Sequence, residues 1–346
     1  MSRKARHATE NKLSFCQRYE FDESKMGGRC SRHYEIEDRI DGTTAVVTGS
    51  SSGIGRVTAK ELYKAGARVI MACIEDSSEA ERVAEGIRKE VEASHPQIKV
   101  GVLVVKKLDL SSLESIRQFA DDLNESEEKI NILINNAGIL ARERRVTKDG
   151  FELTYVTNYL GHFYLTCLLL PKMLGSTPAR IVNVASIAHG SGRMHWDDLT
   201  LEKNFSIYGA YAQSKLAVVL FTRELASRLE GTGVRTYTLH PGILPTTNIS
   251  NEIKESSRRW RCVLNFLSFF WIPLSKTLEQ GAATTLFCAL DESVAEESGF
   301  YYKDCARKEM AAKARSDRDA KRLWDESLKM VGLHDFHIKK DHKING

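Results

Sequence analysis

Thr44-Ala45-Val46-Val47-Thr48-Gly49-Ser50-Ser51-Ser52-Gly53-Ile54-Gly55 passes from a short apolar, β-branched run into a glycine-rich turn. The run reads as a strand, the residues from about Ile54 to Ala65 as a helix closed by Gly66, and Arg68 to Ala72 as a second strand. Strand, glycine turn, helix and strand in that order make one βαβ unit. Glycines let the backbone turn sharply and approach a pyrophosphate, whose charge then rests on the free N–H groups and positive end of the helix. A glycine cluster alone is weak evidence, since loops are rich in glycine. Its place between a strand and a helix predicts a dinucleotide site, with Gly49, Ser51, Ser52, Gly53, Ile54 and Gly55 as its first candidates.

The alternation continues along the chain. Ala80 to Ala93 has helical periodicity, Lys99 to Leu108 is strand-like, and Ser111 to Leu123 is helical, with Ser111 or Ser112 as cap and Glu114 in its first turn. Ile130 to Ile134 is a buried strand running into Asn135-Asn136-Ala137-Gly138, whose small and amide residues suit close approach to a flat ligand; an ordinary Asx turn is the plainer alternative. Phe151 to Leu174 reads as one long apolar helix, Arg180 to Ala185 as a strand ending at Ser186, Tyr208 to Leu229 as a helix, and Val234 to Leu239 as a strand ending at His240-Pro241-Gly242. Repeated strand–helix alternation implies an α/β fold, a single Rossmann-type doubly wound parallel sheet with helices on both faces. Functional groups then gather at the carboxyl ends of the strands, where Asp109 and Leu110, Asn136 to Gly138, Ser186 and Pro241-Gly242 all fall.

Tyr211-Ala212-Gln213-Ser214-Lys215 lies within the Tyr208–Leu229 helix. A Tyr and a Lys at this spacing share a helix face, with Cβ atoms about 5–6 Å apart. An ammonium held beside a phenol favours its ionised form, so the pair suits proton transfer. Any helix with enough Tyr and Lys also produces the spacing by chance, and it is the rest of the chain that gives the pair weight.

The bulk properties narrow the classes further. The chain has 346 residues, 42% hydrophobic and 28% charged, as in a soluble globular protein. Its net charge of +4, with no basic run beside interleaved aromatics, gives nucleic-acid binding little support. Seven cysteines are scattered without zinc-like spacing and read as free thiols in a reducing compartment; no set of residues suggests a metal site. Residues 1–40 mix charges without an apolar core and read as an N-terminal extension with neither signal peptide nor anchor; 334–346 reads as a charged tail. The stretch Arg307 to Val331 reads as a charged, solvated terminal helix.

Six features occur in order: T-G-x-x-x-G-I-G at Thr48–Gly55, N-N-A-G at Asn135–Gly138, N-Y-L-G-H-F at Asn158–Phe163, Ser186 at a strand end, Y-x-x-S-K at Tyr211–Lys215 and H-P-G at His240–Gly242. With them the chain resembles the classical short-chain dehydrogenase/reductase family over about Asp41 to Leu333. Tyr211–Gly233, the N-Y-L-G-H-F segment and Ser298–Cys305 resemble its retinol dehydrogenase branch more narrowly. The resemblance implies an NAD(P)-dependent oxidoreductase interconverting a hydrophobic alcohol and its aldehyde or ketone, of retinoid, steroid or lipid-aldehyde class. It assigns proton exchange to Tyr211, the nicotinamide ribose and a lowered Tyr211 pKa to Lys215, polarisation of the substrate oxygen to Ser186, and a proton-relaying water to Asn158. Cys73 would stand at the adenosine ribose and Thr246 at the carboxamide. The competing expectation is a dinucleotide-binding scaffold with little turnover.

The resemblance leaves two matters open. In Met71-Ala72-Cys73-Ile74-Glu75-Asp76, Cys73 replaces the Asp of NAD-type relatives and Ile74 the Arg of the retinol branch. Glu75 and Asp76 speak for NAD and Arg56 for NADP, and the branch resemblance tips the expectation slightly to NADP. The segment 247–274, apolar and aromatic in Cys262 to Leu274 and preceded by Arg258, Arg259, Trp260 and Arg261, would form a lid. It reads as cover for a hydrophobic substrate, as an interfacial foot through 258–274, or as core or homodimer packing; it is too short to span a bilayer, which takes about 20 residues. The expected location is the cytoplasm, with peripheral contact on an intracellular membrane.

Overall fold

The computed structural model describes residues 34–242 and 276–338. Thr246, the lid expected at 247–274 and the membrane contact expected at 258–274 lie outside the described residues. The elements run β1 (Thr44–Thr48), α1 (Gly53–Lys64), β2 (Arg68–Cys73), α2 (Ser77–Ser94), β3 (Val102–Lys107), α3 (Leu113–Ser126), β4 (Ile132–Asn135), α4 (Gly161–Leu174), β5 (Ala179–Val184), α5 (Ile207–Arg228), β6 (Val234–His240), α6 (Leu278–Leu290), β7 (Tyr301–Lys303), β8 (Ala306–Lys308) and α7 (Asp317–Met330).

The strands form one sheet in the order β3-β2-β1-β4-β5-β6-β7-β8. All neighbours are parallel except β7 and β8. Alternate side chains of a strand point to opposite faces, so a parallel sheet covered on both sides needs apolar residues at every position. β1 shows the consequence: Val46 enters one core with Ile70, Leu133 and Ile181, under α3, α4, α5 and α7. Its neighbours Ala45 and Val47 enter the other with Val69, Met71 and Ile134, under α1, α2 and α6. Strand order reverses between β1 and β4, which opens a crevice at their carboxyl ends. Cys73, Cys167 and Cys288 are buried thiols outside any disulfide.

Two stretches depart from the sequence reading. The helix expected over Phe151 to Leu174 is present as continuous helical backbone from Leu153, but with a π-helical turn at Val156–Leu160 set between the α-helical turn Leu153–Tyr155 and α4. The Gly161 N–H reaches back to the Val156 carbonyl, and the extra residue in that turn re-aims the side chains around Asn158. The stretch from Arg307 begins as strand, passes through a short 3-10 turn at Ala312–Arg315 and becomes α-helical only at Asp317, and α7 is far from simply solvated. Its Leu323 and Trp324 are fully buried against α4 and α5, the indole lying 5.1 Å from the Phe163 ring and 6.1 Å from Phe221 between centroids. Arg228 covers the indole at 4.5 Å.

A buried polar ladder ties the sheet to the helices beneath the crevice. The Asn135 amide donates to Asn183 Oδ1 (2.8 Å) and Thr166 Oγ1 (3.0 Å), and the Asn183 amide donates to Thr222 Oγ1 (3.1 Å) and Thr236 Oγ1 (3.2 Å). Breaking one member leaves a buried partner unsatisfied, at a cost of about 1–3 kcal/mol, so the ladder holds β4, β5, β6, α4 and α5 in one relative placement.

Candidate active site

A cleft of about 570 Å³ opens at the switch between β1 and β4. Of the residues singled out in the sequence, Gly49, Ser51, Ser52, Gly53, Ile54, Asp109, Leu110, Asn136, Ala137, Gly138, Ser186, Tyr211, Lys215, Pro241 and Gly242 line it. Gly55, Cys73 and Asn158 stand behind that lining.

Gly55 has a packing reason for its place. An added Cβ would sit 2.2 Å from the Gly49 carbonyl oxygen and 2.5 Å from Asn136 Nδ2, so only glycine lets α1 start this close to the turn. Gly53, with φ at +56°, faces open space, and an added Cβ there meets nothing within 4 Å. Ser52, Gly53 and Ile54 therefore present the amino end of α1 to the cleft, and no acidic side chain stands in that first turn. A positive helix end beside an open backbone cradle fits a pyrophosphate.

Thr48 couples this turn to the Asn135–Gly138 loop. Its hydroxyl oxygen accepts the N–H groups of Asn136 (2.9 Å) and Ala137 (3.0 Å) and lies 2.9 Å from His162 Nε2. His162 Nδ1 is 3.2 Å from the Asn158 carbonyl. Burial pushes the His162 pKa down to about 3, so the ring is neutral. A neutral ring donating from Nδ1 to the carbonyl leaves Nε2 to accept the Thr48 hydroxyl proton, and every group in the chain is satisfied.

At the other end of the cleft, Ser186 lies beyond the end of β5 and caps the short turn Ile187–Gly190, its oxygen accepting the Ala188 N–H at 3.2 Å. Tyr211 and Lys215 stand a helical turn apart on α5, with Lys215 Nζ 5.7 Å from the Tyr211 ring centroid. Burial raises the Tyr211 pKa, and the hydrogen bond with Ser186 works against that rise. Burial also depresses Lys215 to about 8. The ammonium donates to the Val184 carbonyl at 3.0 Å.

Asn158 is bound into this corner rather than open to the cleft. Its amide donates to the Ile139 carbonyl (2.9 Å) and Ser214 Oγ (3.0 Å), and its Oδ1 accepts the Ile139 N–H (2.8 Å). Ser214 in turn donates to the Tyr211 carbonyl at 2.8 Å, which gives the Ser of Y-x-x-S-K a role in tying α5 to the π turn. A Cβ on Gly138 would lie 3.4 Å from Lys215 Nζ and 3.5 Å from Asn158 Oδ1, so these two atoms flank the glycine.

Around β2 the placement differs from the sequence reading. Cys73 is turned into the core, its Sγ 3.5 Å from Ser50 Oγ and its thiol pKa raised by burial, and it does not line the cleft. Ile74 and Glu75 line the cleft instead. Arg56 points away to Glu90, with Nη1 3.3 Å from Oε2. Thr157 and Leu153, which the sequence reading passed over, also line the cleft. Their i,i+4 spacing one residue ahead of Asn158 is the signal that could have found them. His240 lines it too, held neutral by burial with its pKa near 4, and its Nδ1 has no hydrogen-bond partner among the described residues. Among those residues no cluster of His, Cys, Asp or Glu could hold a metal, and no helix is long and apolar enough to cross a membrane.

Residues 43–258 match the short chain dehydrogenase family model. Retinol dehydrogenase 12 of Homo sapiens is 43% identical over 307 residues, covering 89% of this chain and 90% of that protein. Retinol dehydrogenase 14 of Mus musculus is 43% identical over 299 residues, covering 85% of this chain and 87% of the relative. Among solved structures, an uncharacterised protein from Mycobacterium paratuberculosis is 32% identical with a TM-score of 0.67, covering 87% of this chain and 97% of its own. The fold, the cleft and these relatives together make the chain a member of the short-chain dehydrogenase family, in its retinol dehydrogenase-like branch, and an NAD(P)-dependent dehydrogenase acting on CH–OH groups.

Proposed function

We propose that the protein interconverts a retinoid-like hydrophobic alcohol and its carbonyl partner, with Tyr211 as the general acid and base. The observation that carries this reading is the convergence of the Tyr211, Ser186 and Lys215 side chains in one cleft, opposite the exposed amino end of α1. The nicotinamide dinucleotide supplies or accepts the hydride when bound. Ser52, Gly53 and Ile54 would hold its pyrophosphate, Asp109, Leu110 and Asn136–Gly138 would flank its middle, and Pro241-Gly242 would meet its carboxamide end, with Thr246 contributing from outside the described residues.

Ser186 donates to the substrate oxygen and steadies charge as it develops there. Tyr211 passes its proton to that oxygen in reduction and takes it back in oxidation. In the free protein burial dominates and the phenol is a weak acid; a ribose and an oxidised ring drawn against Lys215 would restore the acidity. Asn158 holds the Gly138–Ile139 backbone against the catalytic helix, and a water between its Oδ1 and Lys215 Nζ would complete a path for the proton. Ile187, 57% exposed at the rim beside Ser186, gives the substrate side an apolar edge. The apolar run from Cys262 to Leu274 fits the same substrate class, and with the basic residues before it, 258–274 fits a peripheral membrane contact in the cytoplasm.

The test is NAD(P)H oxidation by the full chain against all-trans-retinal, medium-chain aldehydes and steroid ketones, repeated with Tyr211→Phe. Turnover of retinal or another lipophilic carbonyl by wild type, lost in the variant while dinucleotide binding persists, is the expected result. Equal inactivity of both proteins with all substrates would leave only dinucleotide binding and sink the reading.

A further inference from the structure

The end of the cleft away from Tyr211 is built around a carboxylate. Glu75 follows Gly55 by about 20 residues, the separation at which a dinucleotide-binding βαβ unit places its ribose-reading acid. Its Oε1 accepts the Ser51 hydroxyl at 2.7 Å, which fixes the carboxylate beside the glycine turn. Its Oε2 is buried and has no hydrogen-bond partner among the described residues, although Glu75 lines the cleft. An acceptor in that condition lacks a donor, and a hydroxyl is the group that would supply one.

Among the described residues, no cation lines this end of the cleft. Among the described residues lining the cleft, Lys215 is the only lysine or arginine, and it stands at the Tyr211 end. Arg56 is engaged with Glu90, and Lys107 pairs with Asp76 at 3.4 Å outside the cleft lining. A second carboxylate, Asp109, lines the cleft, its Oδ1 occupied by the Ser111 N–H at 2.8 Å and the Ser111 hydroxyl at 2.6 Å. Ile74, 60% exposed at the rim, offers no charge. A phosphate group brought here would meet carboxylate without a cation, and like charges at such range are costly even near a protein surface.

We infer that Glu75, aimed by Ser51, selects an adenosine ribose with a free 2′-hydroxyl and rejects one carrying a 2′-phosphate, so that this chain uses NAD(H). The inference rests on the dinucleotide-dependent reading above and reverses the slight NADP expectation carried by the family resemblance. The Glu75 carboxylate accepts the 2′-hydroxyl proton through Oε2 while Oε1 keeps the Ser51 bond.

The experiment is direct binding of NADH and NADPH to the full chain, followed by energy transfer from protein to reduced nicotinamide, for wild type, Glu75→Gln and Ile74→Arg. Wild type should bind NADH at least about tenfold more tightly than NADPH, about 1.4 kcal/mol. Glu75→Gln, which removes charge and keeps shape, should tighten NADPH several-fold, and Ile74→Arg should tighten it about tenfold with little change for NADH. Equal or tighter NADPH binding by wild type overturns the inference and leaves the oxidoreductase reading intact. Failure to bind either nucleotide overturns both.

Discussion

The Lys215 ammonium lies over the face of the Tyr211 ring, 5.7 Å from its centroid, and is tied at 3.0 Å to the Val184 carbonyl. It therefore stands close enough to bias the phenol without being its hydrogen-bond partner. Ser186, which lines the same cleft, counters the rise that burial gives the Tyr211 pKa.

Removing the phenol hydroxyl should abolish proton transfer and little else. Tyr211→Phe should lower kcat by about 10²–10⁴-fold, the usual contribution of a positioned acid–base group. Titration of the variant with reduced dinucleotide should give an unchanged Kd. A comparable loss of binding would mean that the residue holds the ligand instead of moving a proton.

Lys215 carries a pH signature. Its pKa is depressed from 10.5 to about 8 by burial, so the free protein loses this charge as pH rises through about 8. The kcat/KM profile, which reports the free enzyme, should fall on that alkaline side. Because burying the charge costs stability at neutral pH, Lys215→Met should be inactive yet unfold about 1–3 kcal/mol later in urea. A destabilised variant would show that the Val184 bond outweighs the desolvation.

His162 makes the opposite limb a matter of stability. Its pKa is about 3 in the folded chain against an ordinary 6.5. Above 6.5 neither state carries the proton and stability is full. Between 6.5 and about 3 the unfolded chain binds a proton that the folded chain refuses, so stability falls with falling pH by up to ~1.4 kcal/mol per unit. Urea midpoints at pH 7 and pH 5 should separate more for wild type than for His162→Gln. Equal separations would remove His162 from the acid response.

Gly55→Ala tests the turn. The added methyl meets the Gly49 carbonyl at 2.2 Å and Asn136 at 2.5 Å. Dinucleotide binding should fall at least about tenfold, with a loss of about 1–3 kcal/mol in stability from overpacking. Normal binding and stability would mean that the turn and the Asn136 loop are free to separate.

Most of the fold was readable because a sheet covered on both faces forces continuous apolar strands, and Thr44–Thr48 and Arg68–Cys73 show them plainly. Residues of the glycine turn and of Tyr211–Lys215 were readable because spacing along one element is a local property. What escaped depends on where a side chain turns. Cys73 and Glu75 are two residues apart, yet the first faces the core and the second the cleft, and only the path of the chain leaving β2 decides this. The π turn at Val156–Leu160 escaped for a similar reason, since apolar periodicity does not register one inserted residue in a helix turn. The burial of Trp324 was masked by the charges around it on α7, which occupy the outer face of the same helix.

That last helix bears on how the protein comes into being. α5 carries Tyr211 and Lys215, and its outward side is closed by Leu323 and Trp324 of α7, which follows it in the chain after β6, α6, β7 and β8. During synthesis the nucleotide-cradling half emerges first and can fold while Phe163 and Phe221 still lack their cover. The half that carries Tyr211 and Lys215 is thus closed only after α7 has been made, and a chain that stops before residue 324 exposes an aromatic surface for chaperones or for aggregation.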